Sequence, residues 1–333
     1  MRLSGKRLLL KAIILTALPA IIAGCAVKQQ AEPLSETRLL LDTYCTITIY
    51  DTQDRTILTG ALDLCAEYEA LLSKYIEGSD VWRINHAGGE AVAVMPQTVE
   101  IIRESLKYGE LSGGMFDITV GRLSTLWDFT GQSGVPAVPE IALARETVDY
   151  RQVNIIGNTV QLADPNAWLD LGGVAKGYIA DKAAAFIKES GAGSAVIDLG
   201  GNIVTVGQKP DGNPWRVGVA KPFSERNDLI GVVNTGEASI VSSGVYERQF
   251  AENGVLYHHI LDPFTGMPVK SDTVGATVLS VSSMEGDILS TIALLLGSDK
   301  AADVFSNASG FIGAALVLED GELLLYGDID LEE

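Results

Sequence analysis

The sequence predicts an α+β fold, with a mostly antiparallel sheet and flanking helices. Three observations carry this. Strand-like runs follow one another between isolated helices, so the regular β-α-β alternation of a parallel sheet is absent. Some runs alternate polar and apolar residues, as in Thr46-Ile47-Thr48-Ile49-Tyr50. The chain also has 35 glycines among 333 residues, several in pairs, which supply tight turns and close backbone approaches.

Residues 1–24 read as an export signal. Arg2, Lys6, Arg7 and Lys11 give a positive start, and Ala12–Ile22 is an apolar run broken only by Thr16 and Pro19. That run is short for a membrane span. Ala23 and Gly24 then precede Cys25, an arrangement in which the cysteine thiol takes a lipid before cleavage. An ordinary secretory signal is the alternative. Residues 25–37 are expected to be the lipid anchor and a polar, aperiodic tether, and residues 38–333 the folded domain. The protein is then expected outside the cytoplasm, held on a membrane without spanning it.

Along that domain, Thr46–Tyr50 predicts a strand and Ile57–Tyr75 a helix with an apolar stripe. Pro96–Ser112 predicts a second helix, opened by proline and closed by Gly113-Gly114. Gln132–Pro139 reads as a loop, and Val153–Leu162 as a hairpin around Gly157-Asn158. Trp168–Leu171 reads as a short strand and Lys176–Ser190 as a helix. Strands are predicted at Ala195–Val206 (broken at Gly200-Gly201), Trp215–Ala220, Leu229–Asn234, Ser239–Ser242, His258–Leu261 and Thr273–Ser280. Ser283–Leu296 is a strong helix ending at Gly297, and Gly313–Leu318 with Glu322–Tyr326 forms a last hairpin.

The formal net charge of −19 argues against nucleic acid as a partner. Any site for an anion must therefore be built locally, from a metal, a lysine or backbone amides. Beyond Cys25 the chain has Cys45 and Cys65, too few for a disulfide framework or a zinc site. Two buried thiols are expected, with one disulfide as the alternative.

Five segments can carry chemistry. Leu169-Asp170-Leu171-Gly172-Gly173-Val174-Ala175-Lys176-Gly177-Tyr178 runs from a strand through a glycine pair into a helix. Amides at such a start can hold an anion beside Lys176, or the segment is a plain turn with a surface lysine. Asp287 and Thr291 share a helix face by their spacing of four. Their oxygens suit a hard cation such as Mg²⁺; equally, they suit helix-dipole and backbone-bonding roles. In Tyr257–Gly266 a strand would turn His258 and His259 to opposite faces, leaving one available as a general base. Gly113-Gly114-Met115-Phe116-Asp117 and Val241–Arg248 each set charged and aromatic residues beside a glycine.

Taken in order, these segments resemble the FAD:protein FMN transferase family, also called the ApbE family. The resemblance runs from about Leu41 to Leu318 and rests on three runs: Leu169–Tyr178, Ser243–Arg248 and His259–Gly266. It implies a two-subdomain fold with FAD in the cleft. It also implies that Leu41, Asn85, Met115, Phe116, Asp117, Asp170, Lys176, Ser243 and Ile260 handle FAD. Gly173, Asp287 and Thr291 are implied as Mg²⁺ ligands, and His259 as the catalytic base with Lys176 as helper. The implied reaction moves FMN from FAD to a threonine or serine of an acceptor flavoprotein or membrane redox subunit, releasing AMP. A hydrolase making FMN and AMP, or a non-catalytic FAD carrier, remains open on the same residues. One departure is Leu41-Asp42-Thr43, where the family usually has Met-Gly-Thr. The run Thr273-Val274-Gly275-Ala276-Thr277 is only a partial likeness to the family's acceptor motif and reads as a strand.

Overall fold

A computed structural model describes residues 32–129, 134–224 and 228–332. The expected export signal and Cys25 lie outside these residues. In chain order the elements are β1 (Leu34–Leu40), β2 (Thr43–Ile49), α1 (Arg55–Leu72), α2 (Asp80–Asn85), β3 (Val92–Ala93), α3 (Pro96–Leu111), α4 (Gly121–Trp127) and α5 (Val138–Arg145). Then come β4 (Val153–Ile156), β5 (Thr159–Leu162), α6 (Ala175–Glu189), β6 (Ser194–Leu199), β7 (Asn202–Gly207), β8 (Trp215–Ala220), β9 (Leu229–Thr235) and β10 (Ala238–Gly244). The chain closes with β11 (Gln249–Glu252), β12 (Val255–His258), β13 (Thr273–Ser280), α7 (Ser283–Leu296), α8 (Ser298–Asn307), β14 (Phe311–Leu318), β15 (Leu323–Gly327) and β16 (Leu331–Glu332).

The main sheet has eight strands in the order β1-β2-β6-β7-β10-β13-β14-β15. Every neighbouring pair in it is antiparallel, as the sequence predicts. α1, α6 and α7 pack together against one face. There Cys45, Ile47 and Ile49 of β2 meet the same core as Leu58, Leu62, Ile179 and Ile288. Val217, Val219 and Val233 of β8 and β9 form a second cluster with Ile240 and Leu279. β13 is buried along nearly its whole length, which explains why it reads as a continuous β-branched and apolar run.

α7 shows how local sequence builds the core. Ser282 caps its first turn by accepting the Glu285 amide, and Gly297 ends it at φ +78°. Such a cap contributes about 1 kcal/mol, and Ser282→Ala would remove it. Ile288, Leu289, Ile292 and Leu294 are fully buried. Each contributes roughly 1.5–3 kcal/mol gross by leaving water. α6 crosses α7 at Gly177, where a Cβ would sit 2.2 Å from the Ser283 carbonyl oxygen. Only glycine permits that approach.

Some elements differ from expectation. β1 takes in residues 34–37, assigned to the tether from sequence. It is an edge strand whose inner face mixes Leu34 and Leu40 with the ion-paired Glu36 and Arg38, so its alternation is hidden. Val138 and Pro139, read as loop, start α5. Trp168 makes an isolated bridge to Val120 in place of the short strand expected at Trp168–Leu171. β12 ends at His258, so His259–Leu261 does not continue the strand. Cys45 and Cys65 are buried free thiols.

The departure at the first hairpin has a geometric consequence. Leu41 and Asp42 occupy a two-residue turn at φ +55° and +57°. Such a turn favours glycine at its second position, where this chain holds aspartate.

Candidate active site

The site is built where the glycine turn enters α6 beneath α7. Asn85 clamps the approach: its Nδ2 donates to the Leu169 carbonyl (2.9 Å) and its Oδ1 accepts the Leu169 amide (2.6 Å). Asn85 thus acts on the site through the backbone. The next residue, Asp170, accepts the Gly172 amide on Oδ1 (2.8 Å). Its Oδ2 accepts the Ser124 hydroxyl (2.6 Å) and the Lys74 ammonium (2.9 Å). Burial pushes the Asp170 carboxyl up, but Lys74 and these hydrogen bonds outweigh it and hold the group below its ordinary value.

Gly173 follows, packed so closely that a Cβ would lie 3.3 Å from the Phe116 ring and 3.6 Å from the Thr291 hydroxyl oxygen. One turn into α6, the Gly177 amide donates to Asp287 Oδ2 (2.9 Å). Asp287 is 2% exposed, and its Oδ1 takes no hydrogen bond from the described residues. Thr291 Oγ1 donates to the Asp287 carbonyl (3.1 Å), keeping its lone pairs. Gly173 thus lies beside Thr291, and Asp287 sits one turn before Thr291 on α7. Ser243 is tied to the same helix through Ser290 Oγ (2.8 Å).

This donor set fits Mg²⁺. It offers a carboxylate oxygen, a hydroxyl and a main-chain carbonyl, all hard oxygens. Among the described residues no cluster of three or more His, Cys, Asp or Glu forms a closed metal cage. Mg²⁺ usually keeps waters and phosphate oxygens as its remaining ligands.

His259 stands just past the end of β12. Its backbone amide and its Nδ1 both reach the Arg248 carbonyl, at 3.1 and 3.2 Å. A carbonyl only accepts, so Nδ1 carries the proton and Nε2 keeps a lone pair. Desolvation, then the Arg248 charge, with lesser help from Lys176, pulls the His259 pKa down to about 4. The ring is neutral at pH 7, as a base requires. His258 differs: burial lowers it too, but its Nδ1 is buried without a partner. Ile260 is buried and its carbonyl accepts the Val269 amide. Lys176, half-buried in the first turn of α6, exerts its charge on both His259 and Cys45.

The remaining sequence-predicted residues divide. Phe116 is buried against Gly173, and Met115 is half-buried beside the main core. Asp117 turns inward: Oδ1 accepts the Thr119 amide and hydroxyl, and Oδ2 the Tyr150 amide. Burial raises its pKa against those bonds. Leu41 is half-buried in its turn, its amide bonded to Glu69 Oε1 (2.9 Å). Sequence reasoning missed Lys74, Ser124 and Glu69. They lie far along the chain from what they hold, and no local pattern marks them.

Known proteins share this chain's sequence pattern and fold. A model of the ApbE family matches residues 41–315. A FAD:protein FMN transferase of Klebsiella pneumoniae is 34% identical over 278 residues, 82% of this chain and 85% of that protein. One of Vibrio cholerae is 32% identical over 254 residues, covering 75% and 76%. Among solved structures, the ApbE protein of Thermotoga maritima superposes with a TM-score of 0.81 at 31% identity, covering 89% of this chain and 97% of that one. The flavin transferase ApbE of Vibrio cholerae gives 0.78 at 27%, covering 89% and 96%. With a shared fold, a matching family model and relatives aligned over most of their length, the chain belongs to the ApbE family.

Proposed function

We propose that this protein is a Mg²⁺-dependent enzyme that transfers FMN from FAD to a serine or threonine of an acceptor protein outside the cytoplasm. The observation that carries the reading is the packing of Gly173 against Thr291, with Asp287 one turn earlier on α7 and a neutral His259 that feels the Lys176 charge. Relatives named FAD:protein FMN transferase support it.

The acceptor hydroxyl oxygen attacks the FMN-side phosphorus of FAD. His259 Nε2 takes the hydroxyl proton. The bond from that phosphorus to the bridging oxygen breaks, and its electron pair leaves with AMP. A phosphoester joins FMN to the acceptor. When bound, Mg²⁺ supplies charge neutralisation on the diphosphate. Asp287 and Thr291 would hold it from α7 and the Gly173 carbonyl from the turn, while Lys176 would add positive charge beside the same turn.

Cys25 is the lipid attachment point in this reading, so FAD and acceptor meet the enzyme at a membrane surface. Among the described residues no helix is long and apolar enough to cross a membrane. Cys25→Ser should release the protein from membranes; continued attachment removes the anchor. The function is tested by incubating the enzyme with FAD, Mg²⁺ and membrane redox subunits or secreted flavoproteins, followed by mass spectrometry. A covalent FMN on an acceptor hydroxyl, with equimolar AMP, is expected. Free FMN and AMP without labelled protein would make the enzyme a hydrolase, and intact FAD would make it a carrier.

A further inference from the structure

We infer that Lys74 is a positioning residue for the glycine turn: through Asp170 it fixes the Gly172 amide and so aims the Gly173 carbonyl at the cation site. This rests on the reading of Gly173 as a ligand. Lys74 lies two residues beyond α1, yet its side chain is only 7% exposed. Lysine is almost never buried without a partner. Here the ammonium has three N–H donors and three acceptors. They are Ser124 Oγ (2.7 Å), Asp170 Oδ2 (2.9 Å) and Thr125 Oγ1 (3.2 Å). With every donor used, Lys74 has none left for a substrate phosphate. Its influence must pass through what it holds.

That is Asp170, whose two oxygens do different things. Oδ2 is held by Lys74 and Ser124. Oδ1 holds the Gly172 amide, and a Cβ on Gly172 would lie 3.1 Å from it. The next residue is Gly173, wedged between the Phe116 ring and the Thr291 hydroxyl. A rotation of the Asp170 carboxylate would free the Gly172 amide and let the following peptide turn. Lys74 and Ser124 oppose that rotation from two segments outside the turn. Removing the lysine would leave a buried carboxylate without its counter-charge, which is the costly half of breaking such a pair.

The test uses the full chain with Lys74→Met, Lys74→Arg, Asp170→Asn and the double variant Lys74→Met/Asp170→Asn. The first readout is hydrogen exchange at the Gly172 amide, by NMR, with neither FAD nor Mg²⁺ present. Exchange should quicken at least tenfold in Lys74→Met, and Lys74→Arg, which keeps the charge, should recover part of it. The second is the Mg²⁺ activation constant of transfer. It should rise about 10–100-fold in Lys74→Met, as when an outer partner of a metal ligand is lost. The KM for FAD at saturating Mg²⁺ should stay within about twofold. The double variant should be no worse than Asp170→Asn alone, since both act on one link. Unchanged Gly172 exchange, fully additive losses, or a raised FAD KM at an unchanged Mg²⁺ constant would each overturn the inference. If Lys74→Met does not fold, Lys74→Arg and Asp170→Asn carry the same comparisons. Should the wild type show no Mg²⁺-dependent transfer, the proposed function fails while the exchange arm still decides the role of Lys74.

Discussion

The two halves of the site are held in different ways. The cradle formed by the glycine turn and α7 is locked into the core. Its bonds run from Gly177 to Asp287 and from Asp170 to Gly172, and Gly177 lies in contact with α7 backbone. The arm bearing His259 is a strand end followed by a turn. Among the described residues, the hydrogen bonds of His259, from its amide and Nδ1, both go to the Arg248 carbonyl, and His259 is half-buried. The contrast fits the role proposed for each half. A cation site needs oxygens fixed before the ligand arrives, and buried bonds provide that. A base that takes a proton from another protein must stand where that protein can reach it.

Substitutions can break or sharpen this contrast. The largest effect is expected in the cradle. Asp287→Ala should cut Mg²⁺-dependent transfer on the order of a thousandfold, since metal charge stabilisation is worth several kcal/mol. Circular dichroism should show a folded protein, and full activity in Mg²⁺ would remove Asp287 as a ligand. In the arm, His259→Ala should lower kcat by about 10²–10⁴ while FAD still binds, measured by flavin fluorescence. Loss of transfer in His258→Ala with His259→Ala active would move the base to the other histidine.

Gly177→Ala separates the halves by stability. The new methyl meets the Ser283 carbonyl, so unfolding should become easier by about 1–3 kcal/mol in urea titrations. Loss of Mg²⁺ activation should accompany it, with the His259 acid limb unmoved. The smallest effect is in the arm and reads as pH. In the wild type, the acid limb of kcat/KM should fall near the free-enzyme His259 value of about 4. Arg248→Gln removes a charge that depresses it, so the limb should move upward. The sign for stability agrees. Between about 6.5 and about 4 the unfolded chain binds a proton that folded His259 refuses, so stability from this group falls as pH drops through that window.

Sequence and structure agree where one segment decides the outcome. The bounds of α7 and β13 are those read from the glycine stop at Gly297 and from β-branched content. The pairing of Asp287 with Thr291 follows from helical spacing alone. Legibility fails where residues far apart must meet. Asn85 reaches Leu169 across 84 positions and Lys74 reaches Asp170 across 96, and no periodicity records either. It also fails at margins. β1 hides its alternation behind an ion pair, and His259 lies one residue past the strand that was to orient it. The choice of His259 over His258 rests on family resemblance; the Arg248 carbonyl fixes the tautomer of His259.

β13 bears on the stoichiometry of the reaction. Its Thr273–Thr277 run, the stretch most like an acceptor motif, lies between β10 and β14, and Thr277 is 4% exposed with its hydroxyl paired to Ser242. Presenting that hydroxyl for modification would require dismantling the centre of the sheet, at a cost near that of global unfolding. The catalyst therefore carries its own decoy in a form it cannot use. Incubated alone with FAD and Mg²⁺, it should keep its mass unchanged, and every flavin it spends should be found on another protein.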